Sequence, residues 1–393
     1  MFFVQEALIA SPTFFFTAAE HSGDALGAAV IPALRRMYPD ARFVGVGGPK
    51  MAQAGCHIMA DPTARSAMLV GALFSEASYW WKLLGQIKHE FKVARPTVHI
   101  PIDSSTINLR IAKLARSCEI PVCYYVAPQI WASRPWRIKH VRQVVNTLCC
   151  VLPFEEKYFR DRGVNAVYVG HPMFDVPADG PASDPTNVNP PLPASSPKVV
   201  ILPGSRRAEI DANLPPMLKV VSEIKGRFPQ AAFVAGAPSE ERAWQIRHHL
   251  RQCGTPIDIR VGITDAVIRW ADLVITKSGT ATLQIARHHT PMIAIYAVAA
   301  WKWAFARHFI TTPYITLVNI LAGRELISEY IPFHGSPLPI AREAIELLSK
   351  QALRETMSRE LAELVAPLAP DAHGGLAADR VAAEVAKLVS ADV

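Results

Sequence analysis

The chain has 393 residues, half of them hydrophobic and 19% charged, which excludes disorder and gives core enough for two domains of ordinary size. Lys and Arg number 41 against 34 Asp and Glu; the +7 excess is spread along the chain, so no nucleic-acid partner is expected, and it suits an anionic substrate or anionic lipid surface. A mean hydropathy of +0.16 is high for a soluble enzyme and points to apolar surface.

Six cysteines, at 56, 118, 123, 149, 150 and 253, show neither C-x-x-C nor metal-ligand spacing. They read as reduced core thiols in a cytoplasmic setting, with no metal and no other cofactor expected. The apolar start MFFVQEALIASPTFFFTAAE lacks a basic n-region, so no signal peptide is expected. No window of 18 uncharged apolar residues offers a spanning helix.

In chain order, residues 12–19 read as a buried strand, followed by a helix over 24–37. The runs at 41–48, 97–102, 122–127, 147–153 and 166–172 repeat the strand pattern, each followed by a helix or turn. Residues 177–197 then carry seven prolines and read as a partly extended linker. Strands resume at 198–204, 231–237, 256–263, 272–279, 291–298 and 314–320, and a tail of helices closes the chain. Continuous apolar strands alternating with helices predict an α/β fold of two Rossmann-like parallel-sheet domains facing a central cleft. The expected divisions are 1–176, the linker 177–197, 198–340, and tail helices over 341–393 that pack back on the first domain or on a partner chain.

Ligands of such sheets bind at the loops following the strands, and four stretches stand there. Glu20-His21-Ser22-Gly23-Asp24 sets carboxylates and a hydroxyl after the first strand; as a bland alternative, it caps a helix. Asp103-Ser104-Ser105 ends the strand at 97–102, where a carboxylate can act as general base or again cap a helix. Gly204-Ser205-Arg206-Arg207 offers a freed backbone and guanidinium groups for phosphate, with one Arg ligand-facing and the other in a surface ion pair. Lys277-Ser278-Gly279-Thr280 precedes a helix, an arrangement that holds pyrophosphate on N–H groups, with Gln284 within reach of a sugar hydroxyl. No D-x-D occurs, which disfavours a metal-bridged sugar nucleotide. Finally, 67–87 reads as a helix whose apolar face, with Leu69, Leu73, Phe74, Trp80, Trp81 and Leu84, is broader than a core stripe needs; Lys82 and Lys88 beside the Trp pair suit a membrane interface. Trp301 and Trp303 with Arg307 repeat that character.

The motifs AEHSGDALGA (19–28), FVGVGGPKM (43–51), YYVAPQIWA (124–132), LPFEEKYF (152–159), LPGSRRAEI (202–210), SGTATLQ (278–284) and NILAGRELI (319–327) together resemble the lipid-A-disaccharide synthases, inverting GT-B glycosyltransferases. The resemblance runs nearly end to end. It implies transfer of 2,3-diacylglucosamine from UDP to 2,3-diacylglucosamine 1-phosphate (lipid X), giving a β(1→6) disaccharide phosphate without a metal. It implies UDP in the second domain, on Ser205, Arg206, Ser278, Gly279, Thr280 and Gln284, and acceptor and catalytic carboxylates in the first. Asp103 would be the base, with Glu20 or Asp24 orienting the acceptor or substituting for it; Ser22, Asn319, Arg324 and Glu325 would contact sugar or phosphate. It further implies peripheral attachment to the cytoplasmic leaflet of the inner membrane, and for some members a homodimer that exchanges carboxyl-terminal segments.

The chain departs from the family pattern at named places. D-x-P-D-F-N has become Asp103-Ser104-Ser105-Thr106-Ile107-Asn108, and the Glu closing S-G-T-A-x-L-E is Gln284. Ala19 replaces a Gly, and Trp131-Ala132-Ser133 replaces W-A-W. Two other readings fit the same motifs: a GT-B enzyme for another UDP-sugar (a lipid-linked N-acetylglucosaminyl transferase or an epimerase), and a catalytically lapsed paralogue that binds lipid or nucleotide sugar.

Overall fold

The computed structural model describes residues 11–63, 73–251, 254–298 and 300–390. The apolar runs of the first half form a seven-stranded parallel sheet: β1 (Thr13–Ala18), β2 (Arg42–Val46), β3 (His57–Ala60), β4 (Val98–Ile102), β5 (Cys123–Tyr125), β6 (Thr147–Cys150) and β7 (Ala166–Tyr168), in the order β3-β2-β1-β4-β5-β6-β7. Phe14, Phe15 and Phe16 are all fully buried although neighbours point to opposite faces, so helices cover both sides of the sheet. The second half repeats the plan with β8 (Lys198–Leu202), β9 (Ala232–Ala237), β10 (Asp258–Val261), β11 (Leu273–Lys277), β12 (Met292–Ala297) and β13 (Glu329–Phe333), in the order β10-β9-β8-β11-β12-β13.

In each sheet the strand order reverses direction once, between β1 and β4 and between β8 and β11. Loops that leave those strands part to opposite faces, which opens a crevice at the carboxyl edge. Ala18 pairs with Ile102, so Glu20 and Asp103 emerge at one edge; Leu202 pairs with Thr276, so the Gly-Ser-Arg loop and the Lys-Ser-Gly loop emerge together at the other.

Two strand expectations differ from the structure. Residues 314–320 enter a helix, Leu317–Ala322, because Thr316 Oγ1 accepts the Asn319 N–H as an N-cap and the Glu329 carboxylate takes the N–H groups of Ile315 and Thr316. The sixth strand is instead Glu329–Phe333. The short edge strand β3 escaped notice because four half-exposed residues carry no periodic signal.

The chain divides after Asp175: residues up to there, with Pro370 onward, form one unit, and Val176–Ala369 the other. The proline-rich stretch is no free spacer. It is pinned within the second unit, where Arg260 donates to Pro190 and Pro191 carbonyls, Trp270 Nε1 to Pro193 O at 3.1 Å and Arg269 to Ser183 O at 3.3 Å. The tail also splits. Leu338–Ser349 buries Ile340, Ala344, Leu347 and Leu348 in the second unit's core, whereas Ala377–Ser390 lies on the helix His21–Met37 of the first. Asp175 anchors that last helix by accepting the Ala377 N–H on both oxygens at 3.1 Å. Fully burying Val381 and Val385 adds about 1.5–3 kcal/mol each.

Candidate active site

Gly204 leaves β8 with φ +125, and a Cβ there would meet the Glu209 side chain at 2.8 Å. Only glycine therefore lets the chain turn this tightly into the helix Arg207–Arg227. Glu209, at the third helical position, reaches back: Oε2 accepts the Ser205 and Arg206 N–H groups at 3.2 and 3.3 Å, and Oε1 accepts from Lys277 Nζ at 3.0 Å. Burial works to raise the Glu209 carboxyl, but the Lys277 charge and these hydrogen bonds outweigh it and hold the group below the usual carboxylate range. Gly279, φ +153, caps the helix Thr280–Arg287. That helix start, the Gly-Ser-Arg loop and Lys277 enclose a pocket of about 360 Å³. Two cations and the N–H end of a helix can together hold a diphosphate.

Of the predicted phosphate residues, Ser205, Arg206, Gly279 and Thr280 line this pocket, and so does Gln284. Ser278 does not: it is buried beneath the loop and its N–H donates to Ile295 O at 3.1 Å, so that N–H is spent extending the sheet. Lys277, named above only as the start of its stretch, and Glu209 line the pocket too; neither side chain was assigned a role from the sequence, although a cation closing a strand beside Ser-Gly-Thr is a visible signal.

In the first unit, Asp103 and Ser104 both have left-handed backbones, φ 50 and 43. Each conformation costs roughly 1–2 kcal/mol in a residue with a Cβ. The surroundings hold them there. Asp103 N–H donates to Tyr125 O at 3.0 Å, while Asp103 O accepts from Tyr124 OH at 2.6 Å and Asn108 Nδ2 at 2.9 Å. Burial pushes the Asp103 carboxyl up, against a partly compensating hydrogen bond from the Ser104 N–H. A carboxylate so placed is a stronger base than one in water. Glu20, which precedes the helix His21–Met37, and Ser22 in its first turn are exposed.

Four expected site residues stand elsewhere. Asp24 is 1% exposed, and its carboxylate accepts the N–H groups of Gly48, Lys50 and Met51 at 2.8–3.0 Å. It ties β2's exit loop to the first helix and has no face for a substrate. Asn319 is fully buried and staples its own loop, accepting from Leu326 and Ile327 N–H and donating to Ile327 O and Glu329. Arg324 pairs with Glu360 at 3.1 Å. Glu325 lines a different depression with Trp303 and Arg307, and Asn319, Arg324 and Glu325 are not among the residues lining the pocket of Arg206 and Lys277.

Among the described residues the apolar helix runs over Leu73–Val93, past the expected end at 87; residues 67–72 of the expected helix lie outside the described residues. Leu69 lies outside the described residues, as do the side chains of Leu73 and Phe74. Leu83, Ile87 and Phe91, four apart, form its buried stripe. Trp81 is 80% exposed and lines a groove with Lys82, Leu84, Lys88 and Arg110; Trp80 is half-buried against Tyr79. Among the described residues no helix is long and apolar enough to cross a membrane.

Two Rossmann-like parallel sheets with a cation-lined pocket at the second switch point define the GT-B class. The UDP co-structure of S. aureus MnaA superposes with a TM-score of 0.65 at 11% identity, covering 96% of this chain and 97% of that one. MurG of Acinetobacter baumannii gives 0.53 at 11% identity, over 96% and 99%. The lipid-A-disaccharide synthetase family matches residues 14–376. Lipid-A-disaccharide synthases of Anaeromyxobacter sp. (strain K) and Solibacter usitatus are 34% and 32% identical, covering 89% and 91% of this chain and 92% and 93% of their own. The chain belongs to the lipid-A-disaccharide synthase family and is a disaccharide-forming glycosyltransferase.

Proposed function

We propose that the chain transfers 2,3-diacylglucosamine from UDP to the 6-hydroxyl of lipid X. The observation that carries the assignment of roles is the strained, partly buried Asp103 at the first switch point, with the cationic pocket at the second. Asp103 takes the proton of the acceptor hydroxyl. The oxygen attacks the anomeric carbon from the face opposite UDP, the bond to the diphosphate breaks, and its electron pair leaves with UDP, inverting the anomeric centre. Arg206, Lys277 and the N–H groups at Gly279 and Thr280 stabilise the charge growing on the diphosphate. Ser205 borders the phosphates, Gln284 holds the ribose, and Glu20 and Ser22 orient the acceptor.

Both substrates carry acyl chains, so the enzyme works at a lipid surface. Trp81 and Leu84, ringed by Lys82, Lys88 and Arg110, supply an apolar wedge with a cationic rim for the anionic cytoplasmic leaflet of the inner membrane. Incubation with the UDP-diacyl donor and the monosaccharide phosphate tests the reading: a disaccharide 1-phosphate by mass, with stoichiometric UDP, is expected. No disaccharide, or a sugar merely epimerised on UDP, sinks it.

A further inference from the structure

Gln284 stands where the family pattern has Glu, and the residues behind it differ in chemistry from a simple substitution. Its Nε2 lies 3.0 Å from Asp265 Oδ1, and His288 Nε2 lies 2.7 Å from the same oxygen. Asp265 sits at the start of the helix Thr264–Trp270; Gln284 and His288 belong to the helix Thr280–Arg287 and the residue after it. Gln284 lines the nucleotide pocket, and Asp265 does not.

Donor and acceptor chemistry then fixes the amide. An ionised carboxylate only accepts, so both of its neighbours must donate. Burial works to raise the Asp265 carboxyl, but the hydrogen bonds from His288 and Gln284 outweigh it and hold the group below the usual carboxylate range. The His288 imidazole, nearly fully buried, therefore carries its proton on Nε2 toward Asp265. Gln284 turns its NH₂ the same way, which leaves its carbonyl oxygen as the polar group it presents to the pocket. An unanchored amide would show either end, because its two ends are nearly equal in shape. The missing negative charge of the family's Glu is thus present one contact further back, on Asp265.

We propose that Asp265, braced by His288, is a positioning residue that orients the Gln284 amide so that its oxygen accepts a hydrogen bond from a ribose hydroxyl of the bound nucleotide. This rests on the reading of the pocket as a UDP site, and the two can fail separately. The probes are UDP, 2′-deoxy-UDP and 3′-deoxy-UDP, titrated calorimetrically against wild type, Asp265→Ala, Asp265→Asn, Gln284→Glu, the Asp265→Asn/Gln284→Glu pair and Arg206→Ala, each checked by urea unfolding.

Wild type is expected to prefer UDP over one deoxynucleotide by about tenfold, the worth of one good hydrogen bond. Asp265→Ala should shrink that preference below about twofold, and Asp265→Asn, still an acceptor, should keep most of it. Gln284→Glu alone sets two carboxylates at hydrogen-bond distance and should weaken UDP binding; adding Asp265→Asn should restore it. A full preference in folded Asp265→Ala overturns the proposal. So does a pair that binds no better than Gln284→Glu alone, a result available even if Asp265→Ala does not fold. Equal binding of all three nucleotides by wild type, with Arg206→Ala still weakening each, removes the ribose contact and leaves the pocket reading intact. UDP affinity indifferent to Arg206→Ala overturns both.

Discussion

Lys277 and Glu209 form a 3.0 Å ion pair with side chains only 18% and 12% exposed, joining the end of β11 to the first turn of the helix after β8. The same carboxylate accepts the Ser205 and Arg206 N–H groups, so one residue fixes both a cation and the backbone of the phosphate loop. Removing Lys277 strips a cation from the pocket and leaves a mostly buried carboxylate short of a partner. Lys277→Ala is expected to weaken UDP binding by about 1.5–3 kcal/mol, the worth of a charge-assisted contact, and to lower stability by a similar amount. Calorimetric titration and urea unfolding check this; an unchanged UDP dissociation constant would exclude Lys277 from the site.

Asp103→Ala should abolish transfer, by a factor on the order of 100 to 10,000, while UDP affinity stays near normal, since the proposed diphosphate pocket belongs to the other unit. Asn108→Ala tests how Asp103 is held. Asn108 Nδ2 donates to Ile102 O and Asp103 O at 2.8 and 2.9 Å and is the surviving end of the altered strand-end motif. Its loss should cost about 1–3 kcal/mol of stability and lower kcat more than it raises the acceptor KM. Turnover like wild type in Asp103→Ala would remove that carboxylate from the chemistry.

Asp24→Ala should behave differently from any catalytic variant. Three backbone N–H groups lose their acceptor, so a loss of about 2–4 kcal/mol in urea unfolding is expected, whereas exposed Glu20→Ala should unfold like wild type and change only the acceptor KM. An Asp24→Ala protein as stable as wild type but unable to turn over would return Asp24 to the catalytic set.

These contrasts mark what the sequence made legible. Parallel-sheet alternation and the loops after β1, β4, β8 and β11 follow from apolar runs and glycine placement, which are local properties. Asp24, Asp103 and Asn319 look alike as polar residues beside strand ends. Their roles separate only through long-range partners: Gly48 and Met51 for Asp24, Tyr124 and Tyr125 for Asp103, Glu329 for Asn319. The Lys277–Glu209 and Gln284–Asp265 pairs were invisible for the same reason, since each joins helices or loops 68 and 19 residues apart.

Glu155 gives a pH prediction with a definite sign. It is fully buried, its carboxyl is pushed up to about 7 by burial, and it accepts from Trp131 Nε1 and the N–H groups of Val151 and Leu152. Unfolded, it would titrate near its ordinary value of about 4.3. The native state therefore binds the proton more tightly, and the stability this brings is full below about pH 4.3 and lost as pH rises through about 7. Urea midpoints should fall across that window in wild type, and the Glu155 share of the slope should vanish in Glu155→Gln. Identical slopes in the two proteins would refute the assignment.

The groove at Trp81 makes the last test, on vesicles. If it meets a membrane, binding has an apolar part from Trp81 and Leu84 and a Coulombic part from Lys82, Lys88 and Arg110, each cation near an anionic surface adding about 1 kcal/mol. Sedimentation with vesicles containing anionic lipid should show binding that weakens with salt, because exposed charges are screened within about 8–10 Å at physiological ionic strength. Lys82→Glu with Lys88→Glu should reduce binding about 30-fold or more and flatten the salt dependence; Trp81→Ala should weaken binding to anionic and neutral vesicles alike. Neither change touches the diphosphate pocket, so turnover on detergent-dispersed substrates should survive both. Vesicle binding indifferent to all three substitutions would move the membrane contact to another face.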